Sequence, residues 1–299
     1  MHIPGWRERS GAPPSPLFPT AWAFVKRQAS ALALLLGYLA LAGLCTPAHA
    51  ATESLYLEDF SWTELHAAIA NGKTTVLIPV GGVEQSGAHM ALGKHNVRVK
   101  ILAGRIAAAL GSAIVAPVVA YVPEGSVEQP SGHMRFSGTI SVSDAAFKGI
   151  LVGAARSLKQ HGFVNVVLIG DHGGYQAQLG SVAAELNHAW VGTAARAWFI
   201  EDYYRAASSG YAQLLRAKGY SAAQIGTHAG LADTSLMLAT DPELVRSAQL
   251  QQTLAPAEAA AKGVTGDPHG ASAALGQLGV DLIVTKTVAA IRAALGERH

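Results

Sequence analysis

Val164-Asn165-Val166-Val167-Leu168-Ile169-Gly170, followed at once by Asp171-His172-Gly173-Gly174, is the stretch on which the fold turns. Its apolar, largely β-branched run reads as a strand buried on both faces, and the polar, glycine-flanked tail reads as a loop at the strand's carboxyl end. Upstream, Asp144 to Gln160 has helical spacing, with Ser143 as its N-cap. Downstream, Gln176 to Trp190 is helical again. An earlier unit has the same form. Thr74 to Val80 (TTVLIPV) ends in Gly81-Gly82, Val97 to Leu110 has helical spacing, and Ala113 to Val122 reads as a second strand with Pro117 at a bend. Strands separated by helices of this length imply βαβ units. The expectation is an α/β fold: a single three-layer domain with a mostly parallel sheet and helices on both faces. No repeat or linker interrupts it, so one domain should run from residue 51 to 299.

The 299 residues are 50% hydrophobic and 14% charged, which excludes a disordered chain. Residues 1–50 read as a signal peptide. Arg7, Arg9, Lys26 and Arg27 form the basic region, Ala31 to Cys45 the apolar one, and Ala48-His49-Ala50 the cleavage signal. The apolar run is shorter than the ~20 residues of a membrane span. The mature protein is therefore expected to be exported, periplasmic and without a stable membrane anchor. A lipidated Cys45 is disfavoured by the bulky Leu44 before it. Loss of those four basic residues and Glu8 turns the net charge from +2 to −1, which removes any case for a nucleic-acid partner. Cys45 is the only cysteine, so a metal would be held by nitrogen and oxygen.

In sheets of this kind, ligands sit beyond the carboxyl ends of the strands. Glu84 and His95 follow the first strand, and His172 follows the strand quoted above. Two imidazoles and a carboxylate suit a catalytic divalent ion with one position open for water. Each residue is equally at home in an ordinary hydrogen-bonded loop, and twelve histidines make chance clustering easy. The residues alone leave both readings open.

Longer motifs bear on the choice. Val76 to Val99, with Glu84-Gln85-Ser86-Gly87-Ala88-His89 and Leu92-Gly93-Lys94-His95, resembles the opening block of the creatininase family, as do four later segments in order. These are His133-Met134-Arg135-Phe136-Ser137-Gly138-Thr139-Ile140; His161-Gly162-Phe163 with Gly170-Asp171-His172-Gly173-Gly174; His228-Ala229-Gly230 with Asp233-Thr234-Ser235; and Gly263-Val264 with Gly266-Asp267-Pro268. The resemblance implies a metal-dependent amidohydrolase acting on non-peptide or cyclic amide C–N bonds, with some relatives acting on peptides. It further implies a divalent cofactor, Zn²⁺ or Mn²⁺, and assembly as a homo-oligomer, often a hexamer. By motif, Glu84 and His172 fall on metal ligands, and His228 on the active-site histidine with an acid–base role. Asp233 stands where a glutamate is expected and is carried as a further ligand. His89, His133 and Asp171 are carried as supporting or pocket residues, with Glu124 another carboxylate placed to orient a histidine. Trp198, Tyr203 and Tyr204 are candidates for lining a pocket, and His269 has no assigned role.

The departures shape the expectation. Ser86 replaces a histidine ligand of a second ion, His95 replaces an aspartate that bridges two ions, and Gly174 supplies no ligand. A neutral imidazole offers one lone pair to one ion, whereas a carboxylate can share two oxygens. One well-formed metal site is expected, with a weak or absent second. The competing reading is a small-molecule binding protein of the same fold that has lost hydrolysis through these changes.

Overall fold

The structure, a computed structural model, describes residues 54–252 and 255–296. The signal-peptide reading of residues 1–50 lies outside the described residues. The main elements are α1 (Trp62–Ala70), β1 (Thr75–Val80), α2 (Lys94–Leu110), β2 (Ala113–Val115), α3 (Asp144–Gln160), β3 (Asn165–Gly170), α4 (Gln176–Ala189), β4 (Arg196–Phe199), α5 (Tyr211–Ala217), α6 (Leu231–Thr240) and α7 (Ala273–Leu295). The four strands form one sheet in the order β2-β1-β3-β4, and every pairing is parallel.

Strand alternation sorts the core into two layers. Val76, Ile78 and Val80 of β1, with Val166 and Leu168 of β3, pack on Phe147 and Leu151 of α3 and on Leu179, Val182 and Leu186 of α4. Leu77, Val167 and Ile169 point to the other face, against Val99, Leu102 and Ile106 of α2 and Val280, Ile283 and Ile291 of α7. All are buried, and burial of each such side chain is worth about 1.5–3 kcal/mol. The three-layer α/β arrangement expected from the alternation is the one observed. Ser143 caps α3 as expected, accepting the N–H of Ala146 at 3.2 Å.

Two boundaries differ from the sequence reading. The second strand stops at Val115, because Pro117 has no N–H for a ladder; past it only an isolated bridge joins Val80 to Val119. Helix α2 begins at Lys94, three residues earlier than its apolar spacing indicates. His95 therefore lies in the first turn of a helix, not in a loop. The edge strand β4 and the long helix α7 were not read from the sequence.

Candidate metal centre

Three elements meet at the carboxyl edge of the sheet. The Tyr175 hydroxyl lies 2.8 and 2.6 Å from the carbonyl oxygens of Val80 and Gly81 and accepts the N–H of His172 at 3.1 Å, so it ties the ends of β1 and β3 together. The first turn of α2 presses on the same place. Asn96 accepts the N–H of Gly82 at 2.9 Å, and a Cβ on Gly81 would fall 2.1 Å from the Asn96 Oδ1 atom. Only glycine at position 81 lets the helix approach this closely. Glu84 is thereby set beside Lys94 and His95, with His172 across from it.

Glu84 is the centre of the arrangement. Its carboxylate is fully buried and is surrounded by four imidazoles: His95 Nε2 at 2.8 Å, His133 Nε2 and His172 Nε2 each at 3.4 Å, and His228 Nδ1 at 3.7 Å. The Lys94 ammonium stands 3.6 Å away. Burial alone would raise the Glu84 carboxyl, but the His95 hydrogen bond and the Lys94 charge hold it well below the usual carboxylate range. Two ligand groups can be drawn around it: Glu84 with His95 and His172, and Glu84 with His133 and His228.

The donors fit a metal ion in a specific respect. Glu84 Oε2 is buried and has no hydrogen-bond partner among the described residues, yet His172 Nε2 faces it at 3.4 Å. Ligands about 2.1 Å from a tetrahedral ion sit roughly 3.4 Å from one another, which is longer than a hydrogen bond. His172 is also in the right state, since burial and the neighbouring His95 charge lower it to about 3 and leave it neutral. His95 is different. Its Nδ1 meets Asp171 Oδ2 at 2.6 Å and its Nε2 meets Glu84 Oε1 at 2.8 Å. Burial and Lys94 push its pKa down, but the two carboxylate hydrogen bonds outweigh them and raise it. His95 can ligate an ion only by giving up the proton it shares with Glu84, while Asp171 continues to hold Nδ1–H.

His133 turns its Nε2 toward Glu84 Oε2 at 3.4 Å, beyond hydrogen-bond reach. Gln85 Oε1 accepts the Gly87 N–H at 2.9 Å and its Nε2 donates to the Gly263 carbonyl at 3.3 Å, which fixes the amide. The same Nε2 then donates to His133 Nδ1 at 2.8 Å, so the His133 proton is on Nε2, toward Glu84. His228 is the opposite case. Its Nε2–H donates to the Gln85 carbonyl at 2.9 Å, leaving the Nδ1 lone pair turned to the site. Burial and the Lys94 charge lower His228 to about 4, so it is a neutral base at pH 7. The residue after it, Ala229, holds a left-handed backbone (φ 54°), a conformation costly for a side chain with a Cβ, and its N–H reaches Asp233 at 3.0 Å.

Asp233 corrects the sequence reading. It lies on α6 as a partner for cations: Lys94 Nζ bonds its Oδ2 at 2.8 Å and Arg98 Nη1 bonds its Oδ1 at 2.9 Å. Both oxygens are engaged and it belongs to neither ligand group. Burial would raise its pKa, but Lys94 and Arg98 hold it far below the ordinary aspartate value. Arg98 also bonds Asp171 Oδ2 at 2.8 Å, and Tyr203 donates to Asp171 Oδ1 at 2.8 Å. Lys94 and Arg98, residues the sequence reading passed over, thus tie Asp233 and Asp171 into the centre. Their buried placement had no signal in sequence beyond falling at the start of α2.

A cavity of about 730 Å³ opens on this cluster, and its walls include Glu84, His133, His172, His228, Phe136 and Tyr204. Tyr204 is a wall residue as expected. Trp198 is not; its indole N–H donates to Asn165 on the neighbouring strand at 3.2 Å. Tyr203 is buried behind Asp171. His89 is buried outside the cavity walls, with Nε2 2.9 Å from the Thr234 hydroxyl, and His269 pairs with Asp267 in an exposed loop.

The profile of a family described as creatinine amidohydrolase matches residues 58–291. A creatinine amidohydrolase of Pseudomonas putida is 29% identical over 205 residues, which span 65% of this chain and 75% of that protein. A mycofactocin precursor peptide peptidase of Mycolicibacterium smegmatis is 28% identical over 221 residues, spanning 68% and 78%. Among solved structures, a creatinine amidohydrolase superposes with a TM-score of 0.64 at 27% identity, covering 81% of this chain and 98% of that one. Creatininases of that group have been solved in a Mn form and, as a mutant, in a Zn–Zn form. What these relatives share is hydrolysis of a C–N bond.

Proposed function

Because this chain belongs to the creatininase family, we propose that it is a metal-dependent amidohydrolase that cleaves the C–N bond of a small amide, open-chain or cyclic. The observation that carries the reading is the unpartnered Glu84 Oε2 facing the neutral His172 at coordination spacing, on the wall of an open cavity. Glu84, His95 and His172 would hold one divalent ion, Zn²⁺ or Mn²⁺. Such an ion supplies a Lewis acid for the substrate carbonyl and a means of acidifying water.

The remaining chemistry belongs to the chain. His228 Nδ1 takes a proton from the attacking water and hands it to the leaving nitrogen, a task suited to an imidazole that is neutral before the reaction. His133 lines the pocket with its Nε2 toward Glu84. Asp171 keeps His95 in one orientation, and Lys94 and Arg98 keep Asp171 and Asp233 ionised. Position 86 is a serine and position 174 a glycine, and Lys94 already brings a positive charge to Glu84, so we assign one ion per chain. On the sequence of residues 1–50 we place the mature protein in the periplasm, and on family grounds we propose a homo-oligomer.

One observation favours the second reading, a metal-free binding protein. Lys94 and a doubly hydrogen-bonded His95 can neutralise Glu84 without an ion. Elemental analysis of the purified mature protein, with hydrolysis assays on creatinine, other cyclic amides and dipeptides, separates the two. About one transition metal per chain with turnover supports the hydrolase. An absence of metal after reconstitution, with no turnover, refutes it in favour of the binder. Turnover of dipeptides alone would keep the metal chemistry and move the substrate to peptides.

A further inference from the structure

Glu124 is a buried ionisable group that this chemistry does not use. Its side chain is fully buried, and neither oxygen has a hydrogen-bond partner among the described residues. Burying a carboxyl group with no hydrogen-bond partner is costly, and burial with the neighbouring Glu84 charge raises its pKa to about 8, so its retention calls for a polar neighbour that it can pair with. Its near polar neighbour is His172 Nδ1, 3.6 Å from Oε2.

We propose that Glu124 is a positioning residue for the metal: it accepts a hydrogen bond from the Nδ1–H of His172, which keeps the proton on Nδ1 and leaves the Nε2 lone pair for a divalent cation. This rests on the metal reading above. A histidine that ligates through Nε2 must carry its proton on Nδ1, and an acceptor behind Nδ1 fixes both that tautomer and the ring. The other histidine of the centre shows the pattern already formed. His95 stands between Glu84 and Asp171, as His172 stands between Glu84 and Glu124. Each imidazole has Glu84 in front of Nε2 and a carboxylate behind Nδ1.

One neighbour competes. The Gly174 N–H points at His172 Nδ1 at 3.3 Å, which suits a lone pair there. Gly174 is exposed, so its N–H can turn to water, whereas Glu124 is buried and has no such exchange. The surroundings also reserve the space. A Cβ on Gly82 would lie 2.8 Å from Glu124 Oε1, so a larger residue would displace the carboxylate. The Glu124 backbone is held as well, with its N–H on the Ser141 hydroxyl at 3.0 Å.

The test is Zn²⁺ affinity of the mature chain by chelator competition, for wild type, Glu124→Leu and Glu124→Gln. The expected loss is roughly 10–100-fold in Glu124→Leu. Glu124→Gln should fall between, because its amide oxygen can still accept the Nδ1–H hydrogen bond but carries no charge. A second readout needs no variant: in ¹⁵N-resolved NMR of the Zn²⁺-loaded wild type, His172 should show a protonated, hydrogen-bonded Nδ1. Equal Zn²⁺ affinity in folded wild type and both variants overturns the proposal, as does an unprotonated Nδ1 in the loaded protein. Failure of the wild type itself to bind Zn²⁺ or Mn²⁺ overturns the metal reading instead, and the two failures are told apart by the wild-type measurement alone.

Discussion

Arg98→Met removes the guanidinium on which two buried carboxylates depend while keeping most of the side chain's volume. Arg98 is buried and bonds Asp171 at 2.8 Å and Asp233 at 2.9 Å. Breaking a buried pair from one side costs about 3–5 kcal/mol, because the charge left behind is uncompensated. Here the remaining partners cushion the loss. Asp233 keeps Lys94 at 2.8 Å, and Asp171 keeps His95 at 2.6 Å and Tyr203 at 2.8 Å. The expected cost is therefore at the lower end, about 3 kcal/mol. At roughly 2–4 °C per kcal/mol for a domain of this size, the melting temperature of the metal-free protein should fall by about 6–12 °C. Urea titration followed by circular dichroism gives the free energy, and scanning calorimetry the temperature. Arg98→Lys should recover little, since a single ammonium cannot span both carboxylates as the planar fork does. A loss under about 1 kcal/mol in Arg98→Met would refute the reasoning, for it would mean these ions are as well screened as a surface pair.

Three further predictions follow from the same geometry. His228→Ala should lower kcat by about 10²–10⁴ while metal content by elemental analysis stays that of wild type, because His228 moves protons and is not needed to hold the ion; loss of the metal in this variant would reassign His228 as a ligand. Asp233 has a depressed folded-state value, so its contribution is present above the unfolded value of 3.8 and is lost as pH falls through the folded one. Wild type should accordingly lose stability on acidification below about pH 4, and Asp233→Asn, already weaker at pH 7, should lose less over that window in pH-dependent urea melts. Gly81→Ala should cost at least about 1–3 kcal/mol, since its Cβ would enter the Asn96 side chain and backbone; a neutral effect in thermal melts would place α2 further from β1 than the structure has it.

Much of the fold was legible from periodicity. β1, β3, α3 and α4 stand within a residue of where alternation and helical spacing put them, since two-face burial imposes an unmistakable apolar pattern on a central strand. β4 escaped because four residues, starting at the exposed Arg196, carry too little pattern. The long α7 escaped because Gly276 and Gly279 interrupt its helical signal, although both are buried there as it packs along α6. The carboxyl edge of the sheet was likewise predictable as the place for a site, and Glu84, His95, His172 and His228 all converge on it.

What the sequence by itself determined was therefore the α/β class, the edge on which polar residues gather, and, through its motifs, the family. Those properties depend on local pattern, which a chain carries whatever its packing. Tertiary structure alone decided how the charges are shared. Asp233 could have been a ligand by motif, yet α6 delivers it to Lys94 and Arg98, which engage both oxygens. His95 had two free nitrogens on paper, and folding sets each against a carboxylate. Glu124 was a carboxylate placed to orient a histidine, and folding decided which one by burying it against His172. The reason is physical: protonation state and ligand capacity depend on distances of a few ångströms between residues remote in the chain, and on the water that packing removes from between them.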